Sequence, residues 1–227
     1  GGNQYEKYRL ELALKTLQSL LVHVPNARLI VTGTLWLPYR EAEVWTVRTL
    51  KEMNLTDHVT FVGTYTQAEA PLLYSRAHLL IHTKYADPCP GLVPEVLGCG
   101  LPVVYVGNGG VPELVEEAGI GVSVEHSWET INLPAPEKMA EAVMQVYENL
   151  DDYSQTARKQ AQKFSLETFV ARHREIFTKV LDFRGFSLLM ILCLFMLAQR
   201  KVSIVAWFIL GLVCLQCFFK WRQGILL

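Results

Sequence analysis

Asp87-Pro-Cys-Pro-Gly-Leu-Val-Pro-Glu95, running on into Val96-Leu-Gly-Cys-Gly-Leu-Pro102, is the stretch on which the reading of this chain turns. Two carboxylates stand eight positions apart, separated by a loop of prolines and glycine. Glu95 falls in the first turn of a helix expected from Pro94 to Cys99. Backbone N–H groups at a helix start, with the dipole behind them, favour an anion. Gly91 lets the chain come close to a ligand, and Leu92 and Val93 can offer amides as the helix begins. Glu95 can accept hydrogen bonds from two vicinal ribose hydroxyls, and Asp87 from a sugar ring. One short apolar strand later comes a second glycine-rich loop, Gly107-Asn-Gly-Gly-Val-Pro-Glu113. Together the loops describe a pocket for a phosphorylated, hydroxyl-rich ligand, best matched by a sugar nucleotide. The plainer alternative is a surface loop with a capping carboxylate, since acids are common at helix starts.

Outward from this stretch, helix-like and strand-like segments alternate over residues 1–183. Leu10, Leu14, Leu17 and Leu21 carry a helical spacing within Tyr8–Val22. Ala27–Thr32, His58–Val62, His78–His82, Pro102–Val106 and Gly121–Glu125 read as short strands, and single helices separate most of them. Helical stretches follow over about 136–149, 151–163 and 166–182. Such alternation implies an α/β fold: one Rossmann-like parallel sheet with helices on both faces. Ligands of such sheets sit at the carboxyl ends of the strands. Those ends carry Gly33-Thr34, Gly63-Thr64, Thr83–Gly91 and Gly107–Gly110, so the unusual loops are expected along one edge.

Composition narrows the class. The 227 residues carry a formal net charge of −1, which gives no signature of nucleic-acid binding. Five cysteines form no paired CxxC motif and six histidines are scattered, so neither a disulfide framework nor a zinc site is expected. The last acidic residue is Asp182. Beyond it, residues 184–227 form a separate tail: the apolar run Phe186–Ala198, the break Gln199-Arg200-Lys201, and the run Val202–Phe219 interrupted by Gln216. Eighteen helical residues span about 27 Å, close to the roughly 30 Å hydrocarbon core of a bilayer. Trp221 between Lys220 and Arg222 suits a membrane interface. The tail is therefore expected to be an apolar helical hairpin or single anchor that associates with a membrane, with the catalytic face in the cytoplasm. The basic pair at its tip leaves shallow insertion as open as two full spans. The chain opens Gly-Gly without a starting methionine and is expected to be part of a longer one.

Asp87–Pro102 resembles the acidic-x7-Glu motif of the retaining, GT-B-fold glycosyltransferases of family 4, whose commoner form reads E-x-F-G-(L/I)-x-x-x-E-A-x-A-x-G-x-P. Asp87 stands at the first Glu and Glu95 at the second, with Leu97, Gly98, Cys99, Gly100 and Pro102 in register. Gly109-Gly110-Val111-Pro112-Glu113 is similar to the family's GG-x-PE loop, and His58–Gly63 to the strand that leads to its nucleobase loop. The resemblance covers about residues 5–183. It implies the C-terminal, donor-binding half of a two-domain enzyme that moves a hexose from a nucleotide diphosphate sugar to a lipid-linked or polysaccharide acceptor. It further implies that Glu95 holds the ribose and Asp87 the transferred sugar. Gly91–Val93, with Gly109 and Gly110, would hold the diphosphate, and Gly63, Thr64 and Tyr65 would border the base. Cationic side chains, with no metal or cofactor, would neutralise the leaving group. The family's basic grip falls within Gln4–Arg9, where Lys7 is the first candidate and Arg9 the second. Aspartate at 87 is one methylene shorter than the usual glutamate. His82 and His126 read as ordinary strand-end residues. The competing reading is a non-catalytic nucleotide-sugar-binding or membrane-recruitment subunit that needs a separate acceptor domain.

Overall fold

The computed structural model describes residues 6–34 and 42–181. Within them run α1 (Lys7–Leu21), β1 (Leu29–Thr32), α2 (Ala42–Glu52), β2 (Val59–Gly63), α3 (Ala70–Tyr74) and β3 (Leu80–His82). They continue as α4 (Leu92–Gly98), β4 (Val103–Gly107), α5 (Val111–Val115), β5 (Gly119–Ser123), α6 (Pro136–Glu148) and α7 (Leu150–Ala161). Proline sits in the first turn of α3, α5 and α6, where its missing N–H costs nothing and its fixed φ already suits the helix.

Every strand pairing is parallel. The expected single sheet is, however, divided: among the described residues β1 pairs with β2 alone, while β3, β4 and β5 form a second sheet in that order. The facing edges of β1 and β3 line a cavity of 610 Å³ instead of sharing a ladder, and Leu10, Ala13 and Leu17 of α1 line it with them. β3 is only three residues long and spends its ladder on β4.

Alternation along β4 shows how both faces of the larger sheet are covered. Val103 and Tyr105 join one core with Val93, Val96 and Leu97 of α4, Val111 and Val115 of α5 and Ala157 of α7. Val104 and Val106 join another with Leu12 and Leu20 of α1 and Met139, Val143 and Val146 of α6. This is the period-two pattern of a strand buried on both sides. A third core packs Leu10, Leu14 and Leu17 of α1 against Val31 of β1 and Leu50 of α2. One helix thus ties the two sheets together: its leucines at 10, 14 and 17 serve the small sheet and those at 12 and 20 the large one.

Two compact units divide the chain, one over Gly1–Phe164 and the other over Ser165–Leu227. The first ends well before the boundary at 183 that composition suggests. A 3₁₀ turn, Gln162–Phe164, closes it, and Phe164 packs against the core of α4 and α5. Ser165 then starts a new helix over 166–181, its hydroxyl accepting the Thr168 amide. The apolar hairpin expected over 184–227 lies outside the described residues. Among the described residues no helix is long and apolar enough to cross a membrane.

Leu14 has no exposed surface, whereas Leu72 on α3 is 74% exposed. Leu14→Ala is expected to destabilise the fold by about 2–5 kcal/mol in urea titration, and Leu72→Ala by no more than about 0.5 kcal/mol. Equal losses would mean that α1 does not unite the cores.

Candidate donor-binding site

The site begins with how the loop after β3 is held. Ala86 sits in the left-handed region at φ 48°, a conformation that costs a non-glycine residue energy. Asn108, buried just after β4, compensates: its Oδ1 accepts the Ala86 amide at 2.9 Å. The Gly110 amide donates to the Asp87 carbonyl, also at 2.9 Å. A Cβ on Gly109 would lie 2.6 Å from the Asp87 carbonyl oxygen, and one on Gly110 would collide with the carbonyl of Pro88. The second glycine loop is therefore a clamp pressed against the backbone of the first. That contact is why side chains are missing there, and it places Gly109 and Gly110 directly against the Asp87 loop.

Held this way, the Asp87 carboxylate meets two nitrogen bases. His82 Nε2, at the end of β3, is 3.3 Å from Oδ2, and Lys84 Nζ is 3.3 Å from Oδ1. Burial pushes the His82 pKa down to about 4; Asp87 opposes the shift and Arg9 adds to it. The ring is therefore neutral near pH 7. Facing a carboxylate, its proton belongs on Nε2, which leaves Nδ1 buried and without a hydrogen-bond partner among the described residues.

Arg9, Ile81, His82, Thr83, Asp87, Pro90, Gly91 and Leu92 enclose a pocket of 190 Å³. Small-molecule sites usually measure about 300–1,000 Å³, so this is a subsite sized for a phosphate or one sugar group. Thr83 Oγ1 donates to the Arg9 carbonyl at 2.8 Å and locks the first turn of α1 to the end of β3. That bond holds Arg9 on the pocket wall. Lys7, the first candidate for this role, is placed elsewhere. Its ammonium lies 4.8 Å from the centre of the Trp45 ring and 3.3 Å from Glu11. An α-helix separates residues two apart by about 200°, so Lys7 and Arg9 cannot face the same way.

The amides fare differently from expectation as well. The Val93 N–H donates to the Pro90 carbonyl, and the Val93 side chain is fully buried in the core. Gly91 and Leu92 remain on the pocket wall. α4 has only seven residues, and Arg9 and Lys84 bring side-chain positive charge beside its start.

Glu95 lies one turn along α4 in a second cluster. Its Oε2 accepts a 3.0 Å hydrogen bond from the hydroxyl of Tyr74, a buried residue of α3. Tyr74 in turn is 2.9 Å from the hydroxyl of Tyr65, which follows the β2 end at Gly63. The two rings meet edge to face. Burial, and then Tyr65 and Glu95, push the Tyr74 pKa far up, so it keeps its proton. Thr64 and Gly63 border this cluster in sequence, with Gly63 left-handed at φ 77°. Among the described residues no three His, Cys, Asp or Glu side chains gather as metal ligands would.

Sequence reasoning set aside His82 and missed Lys84, Asn108 and Tyr74. His82 and Lys84 stand five and three positions before Asp87, a nearness that could have been read. Tyr74 reaches Glu95 across 21 residues and two elements, which no local pattern reveals.

Parallel strands covered on both faces, with a cation-lined subsite and an anchored carboxylate at their carboxyl ends, define a nucleotide-type α/β domain. The chain belongs to the group 1 glycosyl transferases, whose family model matches residues 2–164. Spore coat protein SA of Bacillus subtilis (strain 168) is 25% identical over 135 residues, 58% of this chain and 34% of that protein. Among solved structures, Anabaena HepE in complex with UDP-glucose superposes with a TM-score of 0.61 at 19% identity, covering 78% of this chain and 48% of that one. The pneumococcal O-GlcNAc transferase GtfA, in complex with UDP and GlcNAc, gives 0.62 at 14% identity over 79% and 35%. Sucrose-phosphate synthase from Thermosynechococcus elongatus gives 0.59 at 20% over 80% and 45%. This chain thus spans half or less of the length of each.

The depressed His82 pKa makes a stability prediction. Between pH 6.5 and about 4 the unfolded chain protonates this histidine while the folded one does not. Stability present above pH 6.5 is therefore lost as the pH falls through that window, by on the order of 3 kcal/mol. Urea titrations from pH 7 to 4 should show a shallower decline in His82→Gln than in the parent. Parallel declines would show that His82 does not titrate between folded and unfolded states.

Proposed function

We propose that this chain supplies the donor-binding half of a retaining glycosyltransferase of family 4. The enzyme moves a hexose from a nucleotide diphosphate sugar to a lipid-linked or glycan acceptor. One observation carries the reading: the two carboxylates of the motif are anchored separately, Asp87 by His82 and Lys84 and Glu95 by Tyr74. Asp87 is fixed beside Arg9 in a subsite the size of a sugar or phosphate. Glu95 is exposed one helical turn away, with one oxygen tied to Tyr74.

In this reading Arg9 and the backbone at Gly91 and Leu92 receive the diphosphate. Asp87 accepts hydroxyls of the transferred sugar, and Glu95 accepts those of the ribose. Thr64 and Tyr65 border the base. Uridine nucleotides are the first donors to test, because structural neighbours carry UDP or UDP-glucose. Arg9 neutralises the leaving diphosphate without a metal, and that diphosphate helps to deprotonate the acceptor hydroxyl. An acceptor-binding domain completes the enzyme, in keeping with relatives about twice as long. The carboxylate-free apolar stretch over 184–227 favours association with a membrane, with the donor site on the cytoplasmic side.

Lys7 points to the alternative, a non-catalytic nucleotide-sugar-binding subunit, since it is stacked on Trp45 and away from the pocket. Donor binding by the full-length protein with neither transfer nor hydrolysis across a panel of nucleotide sugars would favour that alternative.

Glu95→Ala is the direct test of the donor site. A hydrogen bond to a charged group contributes about 1.5–3 kcal/mol, so the variant should bind UDP about 10- to 100-fold more weakly in isothermal titration calorimetry. Unchanged affinity would remove Glu95 from the ribose.

A further inference from the structure

The cluster around Glu95 holds more than a carboxylate. Tyr74 has one hydroxyl proton, and an ionised carboxylate can only accept. The 3.0 Å bond to Glu95 Oε2 therefore uses that proton. The 2.9 Å bond between the two tyrosines must then be donated by Tyr65. The proton count gives the chain a single direction, from Tyr65 to Tyr74 to Glu95.

Its three members differ in exposure. Tyr74 is 7% exposed, Tyr65 is half-buried and Glu95 is open to solvent. Tyr74 does not border the Asp87 subsite. It is packed in the core with Val93, Val96 and Leu97 of α4, the helix that carries Glu95. Among the described residues its hydroxyl is the only side-chain group that hydrogen-bonds Glu95. An exposed glutamate without such a bond would turn among several rotamers, and fixing it on binding would cost side-chain entropy.

We propose that Tyr74 is a positioning residue for Glu95, and that the Tyr65–Tyr74–Glu95 relay sets the selectivity of this site for a ribonucleotide over a 2′-deoxyribonucleotide. The proposal rests on the donor reading above and adds to it a mechanism of selection. Tyr74 takes one lone pair of Oε2 and so restricts how the exposed carboxylate can turn. A carboxylate held in one orientation meets the paired ribose hydroxyls with its remaining lone pairs. One free to turn would follow a single hydroxyl equally well. Tyr65 extends the relay to the loop after β2, so the base-side loop and the ribose carboxylate share one hydrogen-bonded chain.

The test is calorimetric titration of UDP and 2′-deoxy-UDP into the parent chain, Tyr74→Phe and Tyr65→Phe, with folding of each checked by thermal unfolding. The parent is expected to bind UDP at least about tenfold more tightly than the deoxy form, the loss of one hydrogen bond to a charged group. In Tyr74→Phe that ratio should fall to about threefold or less, with UDP itself weakened. Tyr65→Phe, which keeps the Tyr74 bond but removes its donor, should fall between. A parent ratio retained in folded Tyr74→Phe overturns the relay while leaving Glu95 as the ribose contact. If Tyr74→Phe does not fold, an unchanged ratio in Tyr65→Phe overturns the relay. A parent that binds neither nucleotide overturns the donor reading itself and the relay with it; one that binds both equally keeps nucleotide binding and overturns the relay together with the Glu95 ribose contact.

Discussion

The backbone contact between the two glycine loops is the constraint on which the site depends. Asn108 accepts the Ala86 amide, and Gly110 donates to the Asp87 carbonyl. The two bonds hold Ala86 in a conformation it would not choose alone. They fix the turn that carries Asp87 back toward His82 and Lys84. The clamp works because β3 and β4 are paired in register, His82 opposite Tyr105, which brings the loops after them side by side. Core packing thus reaches the site through the sheet: the alternating valines of β4 set the strand, the strand sets the loop, and the loop aims the carboxylate.

Charge is divided between the two halves of the motif. Around Asp87 the environment is cationic and partly buried, with Arg9 and Lys84 near a neutral imidazole. Around Glu95 it is neutral and hydroxyl-rich, built from two tyrosines. A carboxylate among cations tolerates an anionic ligand nearby, because the cations offset the repulsion. A carboxylate among hydroxyls is better suited to neutral hydroxyl donors. The eight-residue spacing separates two chemistries that would interfere if they were superimposed.

Much of this was legible in the sequence, for reasons that are local. Alternation of apolar runs with turn residues marks the strands and most helices, and prolines mark where α5 and α6 begin. Division of the sheet was not legible, since a pattern of apolar residues does not say which strand edges meet. The cationic partner was read only in part. Lys7 and Arg9 are equivalent as residues in a row, and only the rotation of α1, fixed by its leucines at 10, 14 and 17, sends Arg9 to the pocket and Lys7 to Trp45. Asn108 and Tyr74 escaped notice because their bonds run between elements distant along the chain. The glycines at 109 and 110 were read as a ligand surface, and the structure adds a second demand on them, the close approach of the Asp87 and Pro88 backbone.

Hydrogen–deuterium exchange of the full chain with and without saturating UDP tests the central claim directly, because it reports where the nucleotide sits. Slowed exchange is expected at the amides of Thr64 and Tyr65 and across Gly91–Glu95, with the loop at Asn108–Gly110 following through its contact with Asp87. Protection absent from both segments, or confined to Leu29–Thr32 along the cavity between the sheets, would contradict it.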